Sequence, residues 1–282
     1  MPRLFVEQLC TIDFAWLHDD RGLLGDTWIV DADLEGDLDE QGMIFDFAKV
    51  KPAIKEVVDD VVDHRLLVPL RAPGLEIERD TGEIRLLFRY GDRMLRHRSP
   101  PEAVCLIDSD TISADAVGRH LESAVLPALP SNVSRLRVGL REESIDGPWY
   151  RYAHGLRQHE GNCQRIAHGH RSRVRILRDG QRCEATERWL ADRWRDIYLG
   201  CDQDLKEKVT LDGVNYLRFA YRAPQGEFEL LLEAGRSELL GTESTVECIA
   251  EYVLRLLKER DRTAAYEVRA YEGLNKGAIA CG

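Results

Sequence analysis

The sequence predicts an α+β fold in which one domain plan is used twice along the chain. The chain has 282 residues, twice 141, and 44% of them are hydrophobic, which is sufficient for two globular cores. Segments with strand and helix patterns follow one another in a similar order in both halves, which indicates a tandem duplication. The turn-forming sequence IDGP at 145–148 marks the boundary, so we expect domains at residues 1–147 and 148–282.

The first half contains four candidate strands and two candidate helices. Alternating apolar and polar residues, or runs of β-branched residues, predict strands at residues 4–16, 27–34, 83–92 and 134–144. Apolar residues at helical spacing predict a first helix: Val50, Ile54, Val57, Val58 and Val61. This helix should end near Asp63 and His64, and a second helix is predicted at 113–129, before Pro130.

The second half repeats this order. Strands are predicted at residues 149–156, 171–178, 214–223, 228–233 and 265–272. One helix is predicted at 186–199, with Thr186 as its N-cap. Another is predicted at 244–259, where Ser244 and Glu247 have the S-x-x-E spacing of a capping box.

Composition excludes several classes of partner. The net charge of −11 argues against a general nucleic-acid binder, because phosphate contacts need a basic surface. No run of about 18 uncharged apolar residues is present, so we expect no membrane span. The seven cysteines have no framework spacing and the N-terminus lacks the apolar core of a secretion signal, so we expect reduced thiols and a cytoplasmic protein.

The segment 152–170, YAHGLRQHEGNCQRIAHGH, concentrates side chains that bind metals. His168 and His170 are two residues apart, so on a strand they point to the same face. His154 lies on the preceding candidate strand, and antiparallel pairing would bring it alongside them. Three imidazoles with one open position form a catalytic zinc site. His159 is a rival ligand, and surface histidines without a metal are the alternative interpretation.

Cys163 lies five residues before His168. A thiolate close to a metal could act as a base. The same residue could instead be a small buried side chain, or a fourth ligand that closes the site. Neighbouring arginines would offset the acidic background for an anionic substrate: Arg151, Arg157, Arg165, Arg171 and Arg173.

YAHGL, Cys163 and HGH together resemble the zinc half of the 6-pyruvoyltetrahydropterin synthase and 6-carboxytetrahydropterin synthase family. The resemblance implies two tandem tunnelling-fold (T-fold) domains, each an antiparallel four-stranded sheet with two helices on one face. It also implies a zinc-dependent reaction of 7,8-dihydroneopterin triphosphate, with a cysteine base, an Asp-His pair and a glutamate that binds the pterin.

Further motifs of that family can be matched along the chain. VVDHRLL (61–67) is similar to the Asp-His motif and implies catalytic roles for Asp63 and His64. AYEG (270–273) is similar to the closing strand and makes Glu272 the pterin-binding glutamate, although an exposed strand glutamate is usually only solvated. STVE (244–247) is similar to a helix start and implies substrate binding by Thr245 and Glu247, with helix capping as the simpler interpretation.

These motifs are divided between the two halves. In the first half, Trp16, Leu24 and Asp26 occupy the positions of the three histidines, so that copy should not bind zinc. The second half reads RDIYLGCD where the Asp-His motif is expected. In the resembling family, a neighbouring subunit supplies the Asp-His pair. One complete site could therefore form between unlike domains or between chains, and we expect a homo-oligomer.

The resemblance leaves the reaction subtype open. We favour the 6-carboxytetrahydropterin product of the queuosine and deazapurine route, with the 6-pyruvoyl product as the alternative. Four residues separate Cys163 from His168, whereas three or five are more usual in the resembling family. A non-catalytic pterin- or purine-binding protein would have a closed four-ligand zinc site that includes Cys163. A zinc hydrolase would need a glutamate base, for which Glu160 is the nearest candidate.

Overall fold

The structure is a computed structural model that describes residues 2–282. Its helices are α1 (Phe47–Val61), α2 (Ala114–Val125), α3 (Glu184–Arg193) and α4 (Val246–Arg260). The strands of the first half are β1 (Arg3–His18), β2 (Gly22–Gly36), β3 (Leu66–Pro69), β4 (Leu75–Asp80), β5 (Glu83–Tyr90), β6 (Arg93–Ser99), β7 (Val104–Ile107) and β8 (Val133–Glu142). Those of the second half are β9 (Trp149–His154), β10 (His168–Arg178), β11 (Gln181–Arg182), β12 (Ile197–Gly200), β13 (Leu205–Leu211), β14 (Val214–Ala223), β15 (Gly226–Glu233), β16 (Ser237–Leu239), β17 (Tyr266–Tyr271) and β18 (Gly277–Cys281).

The α+β class is confirmed, but the prediction of a four-stranded sheet in each half is wrong. The strands form sheets of five, seven and six strands, in the orders β7-β3-β1-β2-β8, β16-β12-β9-β10-β17-β18 with β11 beside β10, and β13-β14-β15-β6-β5-β4. The short strands β3, β7, β12 and β16 pair in parallel and extend the first two sheets. Their three or four residues are too few to show alternation in the sequence.

The third sheet joins the two halves of the chain. Strands β4, β5 and β6 come from the first half and β13, β14 and β15 from the second, and β6 pairs with β15 in antiparallel orientation. The core beneath this sheet contains Leu17 of β1, Ala153 of β9 and Phe219 of β14. The two halves therefore share a hydrophobic core.

Each of the first two sheets carries its own pair of helices. Val50, Ile54 and Val58 of α1 are fully buried in the core of the five-stranded sheet, where each contributes about 1.5–3 kcal/mol of burial free energy. Helices α3 and α4 bury Leu190 and Val253 in the core of the seven-stranded sheet. No helix among residues 2–282 has both the length and the apolar character needed to cross a membrane.

The helix predicted at 186–199 is shorter than expected. Helix α3 starts at Glu184, with Cys183 rather than Thr186 as its N-cap, and ends at Arg193. Asp196 has a left-handed backbone conformation (φ 56°), which an α-helix does not accommodate. The following residues, IYLG, are buried as strand β12, which pairs with β9.

The two halves pack backbone against backbone at two glycines, Gly25 of β2 and Gly169 of β10. A Cβ atom on Gly25 would overlap the carbonyl oxygen of Tyr152, and one on Gly169 would lie 2.6 Å from the Cα of Gly25. Both obstacles are backbone atoms, which a side-chain rotation cannot move.

We expect Gly25→Ala to lower the free energy of unfolding by about 3 kcal/mol, because an overpacked core forces the backbone to shift. Gly235→Ala is the matched control, since its Cβ would meet no atom within 4 Å and it should change stability by less than about 0.5 kcal/mol. Urea unfolding of both variants measures the difference, and equal stabilities would contradict this packing.

Candidate active site

Three histidines of the second half converge in the protein interior. Antiparallel pairing of β9 with β10 sets His154 directly opposite His168, and His170 opposite Tyr152. All three imidazoles are fully buried. The ligand atoms of the three histidines lie within 4.8 Å of one another, and the Nε2 atoms of His154 and His170 are 3.2 Å apart. The expected strand pairing is therefore present.

The other ring nitrogen of each histidine faces an oxygen atom. The Nδ1 atoms lie 3.0 Å from the carbonyl of Ser244 for His154, 2.9 Å from that of Arg165 for His168, and 3.1 Å from Oδ1 of Asp13 for His170. The carbonyls of Ser244 and Arg165 can only accept a hydrogen bond, so Nδ1 of His154 and Nδ1 of His168 carry the proton and their Nε2 atoms carry a lone pair. Nδ1 of His170 lies beside the Asp13 carboxylate without the alignment of a hydrogen bond, and the negative charge there favours the proton on that nitrogen.

Three buried ring nitrogens this close together indicate a cation site. Nε2 of His168 is buried without a hydrogen-bonding partner among residues 2–282. The ligand nitrogens of a four-coordinate zinc, each about 2.0–2.1 Å from the ion, lie about 3.3 Å apart, which matches the separation of His154 and His170. Burial lowers the pKa values of His154 and His168 well below the usual range, so both rings are neutral, as metal binding requires. The donor set fits a zinc ion.

Asp63 and His64 lie beside these histidines in the same chain. The rings of His64 and His168 have centroids 5.0 Å apart. Oδ2 of Asp63 is 2.5 Å from Nδ1 of His64, and Oδ1 accepts a hydrogen bond from the backbone N–H of Asp13. His64 has a left-handed backbone (φ 55°) directly after α1, and its N–H donates to the Asp13 carbonyl. The first half of the chain therefore brings the Asp-His pair next to the histidines of the second half.

Cys163 completes a second group of possible ligands with His64 and His168. Its sulfur and their ring nitrogens lie within 4.8 Å of one another, and it sits half-buried in the turn Asn162–Gln164. Burial opposes protonation of His64, but hydrogen bonds to Asp63 and Cys163 raise its pKa to about 10. A positively charged imidazole therefore lies next to the sulfur of Cys163.

His159, the rival ligand, is exposed and accepts a hydrogen bond from the N–H of Gly161. It lies outside both groups of ligand atoms. Glu160 is also exposed.

Glu272 follows β17 and borders the histidine cluster. Its Oε1 is 3.9 Å from Nε2 of His170, and its side chain is 23% exposed. Nζ of Lys276 lies 3.9 Å from the other carboxylate oxygen. This carboxylate is thus accessible from solvent and close to the histidine cluster.

The STVE segment differs from the predicted capping box. Thr245, not Ser244, is the N-cap of α4 and accepts a hydrogen bond from the N–H of Cys248. Glu247 is exposed in the first turn of the helix. Ser244 is buried, and its hydroxyl and carbonyl oxygens each lie 3.0 Å from Nδ1 of His154. The residue of this segment that touches the histidines is therefore Ser244.

The matching positions of the first half hold no metal-binding set. Trp16 pairs with Leu24 as His154 pairs with His168, and Asp26 takes the place of His170. The carboxylate of Asp26 lies 3.1 Å from Nε of Arg151. Glu142, the first-half counterpart of Glu272, also binds Arg151, with a separation of 2.6 Å.

Asp13, Ser244 and Lys276 were missed in the sequence. Ser244 and Lys276 carry no local signal of their contacts. The signal for Asp13 was a charged residue inside the apolar run TIDFAWL, on a strand that is buried at this point. A buried carboxylate needs a hydrogen-bonding or charged partner, and the identity of that partner is apparent only in the folded chain.

The fold and these contacts define a duplicated α+β protein with one histidine cluster, completed by Cys163, His64 and Asp63, at the junction of its halves. The chain belongs to the 6-pyruvoyl tetrahydropterin synthase family, whose model matches residues 14–145 and again 148–281. The two matches confirm the tandem duplication.

Similar proteins carry related names. The chain is 27% identical over 119 residues to a putative 6-carboxy-5,6,7,8-tetrahydropterin synthase of Pyrococcus horikoshii, covering 42% of this chain and 68% of the relative. The protein of the same name from Pyrococcus abyssi is 28% identical over 123 residues, covering 44% and 70%. Among solved structures, the 6-pyruvoyltetrahydropterin synthase of Plasmodium vivax is similar with 18% identity and a TM-score of 0.41, covering 51% of this chain and 93% of its own. That of Plasmodium falciparum has 15% identity and a TM-score of 0.41, covering 51% and 92%.

Proposed function

We propose that this protein is a zinc-dependent pterin synthase that converts 7,8-dihydroneopterin triphosphate to 6-carboxy-5,6,7,8-tetrahydropterin. The observation that carries the proposal is the convergence of three buried Nε2 lone pairs beside Cys163 and His64. The family membership supports pterin chemistry, and the names of the Pyrococcus relatives favour the carboxy product.

His154, His168 and His170 would hold the zinc ion, which when bound supplies Lewis-acid activation of the substrate's side-chain hydroxyls. The approach of Cys163 to His64 and His168, outside the three-histidine group, supports an open metal position over a closed four-ligand site. The alternative of a non-catalytic protein with structural zinc is thereby disfavoured. The exposure of Glu160 gives a zinc hydrolase no support.

The residues of the chain divide the remaining work. Glu272 accepts two parallel hydrogen bonds from the amide and amino edge of the pterin, which fixes the ring's orientation. Cys163, as a thiolate, removes a proton from the side chain of the substrate. His64, held by Asp63, stabilises that thiolate and exchanges the second proton. We assign Thr245, at the start of α4, a role in binding the pterin. We assign the exposed Glu247 a more peripheral role in substrate binding.

We also propose one site per chain, formed by domains 1–147 and 148–282, in a cytoplasmic homo-oligomer. The edge strands β8 and β18 support the homo-oligomer, because among the described residues each has one side without a paired strand, which could pair with another chain.

Product analysis tests the function. The zinc-loaded protein is incubated with 7,8-dihydroneopterin triphosphate, the pterin products are separated, and their molecular masses are measured by mass spectrometry. We expect a product with one side-chain carbon, since retro-aldol cleavage removes two of the three. A product with all three carbons would establish the 6-pyruvoyl subtype instead. Unchanged substrate, with zinc bound, would refute the enzyme and leave the binding protein.

A further inference from the structure

Asp13 is a buried carboxylate of the first domain that lies against a histidine of the second. It is only 3% exposed, and its Oδ1 is 3.1 Å from Nδ1 of His170. The hydroxyl of Thr27 donates a hydrogen bond of 2.5 Å to the same oxygen, and Nζ of Lys276 lies 3.2 Å from Oδ2. Both carboxylate oxygens are therefore occupied, and the group cannot turn away from the ring.

We propose that Asp13 is a positioning residue that orients His170 for zinc binding from across the domain boundary. The inference rests on the zinc site of the proposed function. A carboxylate held 3.1 Å from Nδ1 favours the proton on that nitrogen, which leaves Nε2 free to bind the metal and makes it a stronger ligand. His154 and His168 are oriented by the neutral oxygens of Ser244 and Arg165, so among these three contacts Asp13 alone brings a negative charge.

The same residue also supports the Asp-His pair, but through different atoms. The backbone N–H of Asp13 donates to Oδ1 of Asp63, and its carbonyl accepts from the N–H of His64. A substitution at position 13 that keeps the backbone in place therefore removes the charge beside His170 without removing the support of His64. This separation allows the metal-related role to be tested on its own.

The other half of the molecule contains the same contact with the charges exchanged. Asp13 is one residue before the strand partner of Asp26, and Arg151 is one residue before the strand partner of His170. Asp13 and Arg151 therefore hold matching positions in the two halves. Arg151 reaches Asp26 across the domain boundary at 3.1 Å, as Asp13 reaches His170. A fixed ion pair thus fills the position where the metal-binding half has a carboxylate and an imidazole.

The test is the zinc dissociation constant of Asp13→Asn, measured by competition with a chromophoric chelator. Asparagine has nearly the same shape but carries no charge, and with its amide nitrogen in place of Oδ1 it presents an N–H to the ring of His170. We expect zinc binding to weaken by about 10–100-fold, the usual loss when a residue that supports a metal ligand is changed. Nitrogen-15 spectra of the metal-free protein should show His170 changing from the Nδ1–H form towards the Nε2–H form.

Asp26→Asn is the matched control. It also removes a buried carboxylate charge from the domain boundary, so it should lower the unfolding temperature, yet it should leave zinc affinity and the His170 tautomer unchanged. Wild-type zinc affinity in folded Asp13→Asn, or an equal loss in both variants, would overturn the inference while leaving the zinc site intact. Failure of the unaltered protein to bind zinc would overturn the zinc site itself, and this inference with it.

Discussion

His168→Ala is expected to abolish zinc binding and turnover together, whereas Cys163→Ala should keep zinc and lose turnover. His168 supplies a lone pair whose removal leaves only His154 and His170, and the loss of a direct ligand should exceed the 10–100-fold cost of changing a residue that merely supports one. Cys163 lies towards His64, and removal of a general base costs about 10²–10⁴-fold in rate.

Zinc content after dialysis and turnover of the pterin triphosphate separate the two variants. His159→Ala is the control, because this exposed histidine lies in the same segment but outside the cluster. Zinc lost from Cys163→Ala would make Cys163 a fourth ligand. Full activity of that variant would show that another group acts as the base.

Strand alternation was sufficient to find the histidines. The spacing of His168 and His170 requires a common face, and the next strand brings His154 opposite them. The contacts of Asp13 with His170 could not be found in this way, because they join residues 157 positions apart on strands that do not pair. Nothing local in a sequence encodes such a contact.

The shared third sheet was missed for a similar reason. Strands β5, β14 and β15 were each expected from their alternation, yet alternation does not identify a strand's partner. The pairing of β6 with β15 depends on the two domains already lying side by side. The end of α3 was misjudged because IYLG continues the apolar pattern of a helix. The left-handed backbone of Asp196, which prevents the helix from continuing into this segment, is not conspicuous in the sequence.

The position of the Asp-His pair explains how a duplicated chain can retain one site. Because the two halves have matching strands, they contact each other at two equivalent junctions. At one junction Asp13 lies against His170, and at the other Arg151 lies against Asp26. Among the described residues, only the first junction has a cluster of imidazoles, and there His64 has the left-handed backbone that follows the helix. Asp196 occupies the equivalent left-handed position at the second junction, where it binds Arg21 at 2.5 Å. The second junction thus has the contacts of a structural ion-pair network.

Asp63→Asn and His64→Ala should therefore impair catalysis although both residues lie in the half without zinc ligands. Asp63 holds Nδ1 of His64 at 2.5 Å, and the His64 ring faces His168. Loss of this proton-transfer group should lower kcat by about 10²–10⁴-fold, while zinc content stays at the wild-type level because His154, His168 and His170 are untouched.

Alanine is strained at the left-handed backbone of position 64, so His64→Asn provides a second variant that tolerates this conformation. Asp196→Asn is the matched control at the other junction, and it should keep the wild-type kcat even if the lost ion pair lowers stability. Equal zinc content with a reduced kcat in all three test variants would establish that the first domain completes the site of the second. Wild-type kcat in folded Asp63→Asn and His64→Asn would instead confine the chemistry to the zinc-binding half, with Cys163 acting without a partner from the first domain.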